Sequence, residues 1–81
     1  MTNWYREALA AVGRIGRKTT IRNKLTDVAT KADDETLRAL ASDVIREFDY
    51  SGLNTDHTSL EKSNSVHTDK LVKHCKARAY V

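Results

Sequence analysis

Five cations, Arg14, Arg17, Lys18, Arg22 and Lys24, stand within eleven residues with no acid among them. Gly13 and Gly16 lie beside them. Glycines that bare backbone N–H groups, next to Arg and Lys at the start of a helix, suit an anion such as phosphate. Three of the cations crowd a predicted helix N-terminus, where the helix dipole disfavours positive charge. A sequence shaped only for stability would place Asp or Glu there. The competing structural account is that these cations pair with acids from the middle of the chain. A second group is His57, His67, His74 and Cys75. His67 and His74 are seven apart and share a helix face, as two zinc ligands could. The spacing fits no ordinary zinc site, and there is no second cysteine. The expectation is therefore surface histidines, a core Cys75, no metal and no cofactor. Cys75 on an apolar stripe also lacks the exposed, electropositive setting of a nucleophilic thiol.

Four stretches share letters with known motifs. Gly13 to Thr20 shares letters with a phosphate-binding Walker loop, but Arg17 stands directly before Lys18 and only two residues separate the glycines. Gly13-Arg14-Ile15-Gly16 resembles the G-x-x-G loop of KH RNA-binding domains, which joins two helices and clamps the nucleotide backbone. The resemblance covers about ten residues. It departs at Thr19, where that family has isoleucine, and no strand pattern supplies the family's sheet. Leu25 to Ala32 with Thr36-Leu37 resembles a repressor-type helix-turn-helix. Its turn is two residues short, and Asp33-Asp34-Glu35 would face DNA phosphates. Phe48 to Glu61 resembles a calcium loop out of register, with Leu53, Asn54 and Leu60 at positions that need a ligand, a glycine and a bidentate Glu.

Helices must position these residues. Thr2 or Asn3 can cap a first helix, on which Trp4, Ala8, Ala11, Val12 and Ile15 share a face with Tyr5 at its edge. Ile21, Leu25, Val28, Ala29 and Ala32 form a second stripe, rotated by roughly 120° from the first on a continuous helix. One straight helix cannot bury both, so a break is predicted near Gly16–Thr20, with Thr19 or Thr20 as the next cap. Asp33 or Asp34 caps a third helix carrying Leu37, Leu40, Ala41, Val44, Ile45 and Phe48, with Gly52 as its stop and Leu53 folding back. Residues 54–65 read as a polar loop with room for one helical turn. A last helix over 66–79 places Leu71, Val72, Cys75 and Ala79 on its apolar stripe.

The predicted fold is all-α, a single domain over residues 1–81 built as a small bundle of three to four helices. The chain has no proline and three glycines, too little punctuation for a sheet protein. A lone cysteine forms no internal disulfide, no apolar run approaches a membrane span, and the start shows no signal-peptide pattern. A cytoplasmic location is the expectation. The charge is blocked: residues 1–25 carry a net +5, residues 26–61 a net −6 and residues 62–81 a net +4, for a total of +3. The functional expectation is a non-enzymatic regulatory or accessory protein that places its basic surface on the phosphate backbone of nucleic acid. The rival is an adaptor or inhibitor docking on a partner protein. A homodimer through Trp4, Tyr5 and Ala8 is expected if one core cannot cover the apolar residues of the first helix.

Overall fold

The structure is a computed structural model and describes residues 2–13, 16–50, 57–58 and 66–80. It is all-helical in class, with α1 Trp4–Gly13, α2 Lys18–Lys31, α3 Glu35–Tyr50 and α4 Val66–Ala79. Two-residue extended segments, β1 Gly16–Arg17 and β2 His57–Thr58, pair antiparallel, with Gly16 opposite Thr58 and Arg17 opposite His57. Each helix packs on two neighbours: α1 on α2 and α4, α3 on α2 and α4. Side-chain bonds fix the directions. Asn3 and Arg6 at the start of α1 reach Ala79 at the end of α4, and Arg22 near the start of α2 reaches Asp49 near the end of α3. The chain runs up, down, up and down around a square.

Local chemistry explains the helix ends. The Oδ1 of Asn3 accepts the backbone N–H groups of Tyr5 (3.1 Å) and Arg6 (3.2 Å), capping α1. At the end of α4, the carbonyl of Ala79 accepts Asn3 Nδ2 (3.3 Å) and Arg6 Nε (3.1 Å). The start of one helix thus satisfies an orphan carbonyl of another. Asp34 caps α3 by accepting Thr36 N–H (2.8 Å) and Leu37 N–H (3.2 Å). In α2 the hydroxyls of Thr26 and Thr30 bond back to the carbonyls four residues earlier, which lets these poor helix formers sit inside the helix.

The core collects one stripe from each helix. Ala8, Ala11 and Val12 meet Ile21, Leu25, Val28 and Ala32, then Leu37, Ala41, Val44 and Phe48, then Leu71 and Cys75, all buried. Leu40 and Ile45 were expected in this core, but they are only half-buried and pack on its rim. The smaller Ala41 holds the central line of α3 instead. Trp4 and Tyr5 are likewise half-buried.

The break between the first two helices is present, and it falls slightly early. α1 ends at Gly13, Gly16–Arg17 is extended, and α2 starts at Lys18. Thr19 and Thr20 therefore lie inside the first turn and are not its cap. Arg17 holds that position in extended conformation, without a side-chain capping bond. Gly16–Arg17 instead pairs with His57–Thr58, a two-residue contact too short to show as alternation in the sequence. The same pairing makes part of the expected loop, His57–Thr58, extended. Ile15 and the proposed stop at Gly52 and Leu53 lie outside the described residues. Among the described residues, no helix is long and apolar enough to cross a membrane.

Candidate nucleic-acid interface

The five cations expected to form one anion site meet different fates. Arg14 lies outside the described residues, and Lys18 is described only as the first backbone position of α2. Arg17 is exposed and in no ion pair among the described residues. Arg22 is held by Asp49 through two bonds, Nε to Oδ1 at 3.0 Å and Nη2 to Oδ2 at 3.1 Å. Its hydrogen bond to that carboxylate, with the attached charge, raises the guanidinium pKa further. Lys24 lies 3.8 Å from Glu7 of α1. The competing expectation, pairing with acids from the middle of the chain, thus applies to Arg22, while Lys24 instead meets Glu7 of its own basic block. Arg17 remains the described member with an open side chain.

A denser row of exposed cations runs along α4. Lys70, Lys73 and Lys76 follow i, i+3, i+6 spacing, all exposed, and none is in an ion pair with a described residue. The reason for their exposure is the helix period. Thr68, Leu71, Cys75 and Ala79 face the core, which turns the three lysines to solvent on the far side. Dipole complementarity accounts for Lys76 and Arg78 in the last turn, but it gives Lys70 and Lys73 no such role. The ridge ends at Tyr80, just beyond α4 and 72% exposed. The guanidinium of Arg6 sits 5.5 Å from the centre of its ring, a cation–π distance. Sequence reasoning centred the anion site on the first basic block and missed this ridge. Its signal was available in the lysine spacing opposite the apolar stripe.

His74 is not the surface group expected, whereas the side chain of His67 remains 44% exposed. His74 is 13% exposed in its side chain, and its Nε2 lies 2.9 Å from Asp34 Oδ2. The hydroxyl of Tyr5 donates to the same oxygen at 2.7 Å. An ionised carboxylate only accepts, so Nε2 of His74 carries the proton in this contact. Hydrogen bonds from Tyr5, His74 and the α3 backbone hold the Asp34 carboxyl far below the usual range, against the opposing effect of burial. The bond to Asp34 in turn raises the Tyr5 phenol. This clasp joins α1, α3 and α4 at one end of the bundle. His67 meets Glu47 of α3 at 3.5 Å. Seven residues of helix put His67 and His74 roughly 10 Å apart along α4, each on its own carboxylate. The structure does not bring them to one centre. Among the described residues, no group of three His, Cys, Asp or Glu side chains could hold a metal ion. Burial pushes the Cys75 thiol up to about 11, so it stays protonated at neutral pH.

Beside the clasp lies a cleft of about 320 Å³ lined by Thr2, Asn3, Trp4, Tyr5, Asp33, Asp34, Leu37 and Arg78. The expected dimer surface shares this end, but Ala8 is fully buried within its own chain and has nothing to offer a second copy.

No family model matches the chain, and neither a curated protein nor a solved structure matches it.

Proposed function

We propose that this protein is a non-enzymatic binding module that lays a cationic surface on the phosphate backbone of nucleic acid. The observation that carries the reading is the α4 ridge of Lys70, Lys73 and Lys76, exposed and free of acidic partners among the described residues. Arg17 adds to the same capacity. Arg22 and Lys24 contribute less, because a phosphate would have to displace Asp49 or Glu7. Phosphate contacts release condensed counterions, so affinity falls with log salt at a slope of about −0.9 per contact on duplex DNA and about −0.7 on single strands.

The test is titration of labelled single- and double-stranded DNA and RNA at about 50 mM salt and above. Replacing Lys70, Lys73 and Lys76 together by Ala should flatten the slope by up to about 2 on single strands. Binding should weaken on all sequences alike, since phosphate contacts position rather than specify. No binding of any polymer below about 100 μM, the weak limit of ordinary non-specific binders at physiological salt, would overturn the reading. Docking on a partner protein is the second reading, favoured by the cleft against the half-buried Trp4. A single protein that copurifies while every polymer fails would establish it.

A further inference from the structure

We propose that Tyr80 is a base-stacking platform, so that the α4 ridge takes single-stranded nucleic acid in preference to duplex. This rests on the backbone-binding reading above and names the class of polymer it serves.

The large apolar side chains most exposed among the described residues are Val66 (64%) and Tyr80 (72%), and both lie on the lysine ridge. Tyr80 is i+4 from Lys76 and i+7 from Lys73, which places all three on one surface strip. From Lys70 to Tyr80 the strip is roughly 15 Å long at helical rise. Arg6 approaches one face of the ring, and the rest is open. The other two aromatic side chains near this end are engaged otherwise. Tyr5 donates its hydroxyl to Asp34, and Trp4 packs half-buried against the core.

An open aromatic face beside a row of cations is the arrangement that holds single strands: the cations track phosphates, and an unstacked base lies on the ring. Duplex bases are already stacked on one another and cannot use it. Arg6 strengthens the platform, because its guanidinium can engage the ring and a phosphate at once.

The experiment compares the full chain with Tyr80→Ala and Tyr80→Phe. Binding is measured by anisotropy on short strands of equal length: single-stranded RNA and DNA, duplex DNA, and an abasic strand that keeps the phosphates and lacks the bases. Tyr80→Ala should weaken single-strand binding by roughly 5- to 150-fold, the range for one stacked base. Its binding to duplex and abasic strands and its salt slope should be unchanged. Tyr80→Phe, which keeps the ring, should retain single-strand affinity. An unchanged thermal midpoint in Tyr80→Ala shows that the loss is not unfolding. If Tyr80→Ala binds single strands as well as the wild type does, or loses duplex equally, the stacking proposal falls while backbone binding stands. If the wild-type chain binds no polymer, both fall.

Discussion

Asp34 does three jobs with one carboxylate. Its Oδ1 caps α3, and its Oδ2 accepts both Tyr5 and His74. Replacement by Asn keeps a competent cap but removes the charge, whereas Ala removes both. Asp34→Ala should therefore cost more than the roughly 1 kcal/mol of a lost cap, and Asp34→Asn less than Asp34→Ala. The pH dependence follows from the sign of the shift. The folded carboxyl sits below its unfolded value of about 3.9, so its stabilisation is complete above that value and is lost as pH falls through the folded one. Urea unfolding from pH 7 down into strong acid should show the advantage of wild type over Asp34→Asn shrinking toward zero. A gap that stays constant into acid would show that the charge on Asp34 contributes nothing.

At the scale of elements, burial and phase separate residues that look alike in the sequence. Leu37 and Leu40 both lie on the apolar stripe of α3, yet Leu37 is fully buried and Leu40 half-buried. Leu37→Ala should cost about 2–5 kcal/mol, and Leu40→Ala clearly less, because its site opens to water and leaves no closed cavity. Thermal or urea unfolding of the two variants side by side checks this; equal losses would put Leu40 in the core after all. The helices themselves were legible. Val66–Ala79 matches the expected span, Asn3 and Asp34 are among the caps expected, and the phase jump between the Ala8 and Ile21 stripes located the break. The exact start of α2 was not legible, and the extended pair just before it has its partner in His57–Thr58, some forty residues away in the chain. The clasp was hidden for the same reason. Nothing local to His74 signals that Asp34 and Tyr5 will converge on it. Conversely, the first basic block stood out in the sequence because its cations are adjacent, while the acids that neutralise two of them, Glu7 and Asp49, lie elsewhere. The α4 ridge was readable in principle, since three lysines opposite an apolar stripe must face water.

At the scale of the whole molecule, size and surface bear on assembly. The radius of gyration is 11.5 Å. A compact single chain of this length should have about 12 Å. The square of four helices is thus as compact as a self-contained chain, and Ala8, a residue of the expected dimer surface, is fully buried in it. Tyr80 and Val66, the most exposed large apolar groups described, sit among lysines that repel a second copy of the same ridge. Like charges along the ridge thus oppose pairing of two copies ridge to ridge. The expected outcome is a monomer in sedimentation velocity at micromolar to millimolar concentration in low salt. Short single strands should add mass in steps of one chain each, without a prior dimer. Raising the salt should strip the nucleic acid and leave the monomer unchanged. A dimer that persists in high salt and disappears in Trp4→Ala would instead place an apolar interface at the cleft beside the clasp. The free cleft lined by Trp4, Asn3 and Leu37 would then be the covered surface, and the lysine ridge would be its solvated outer face.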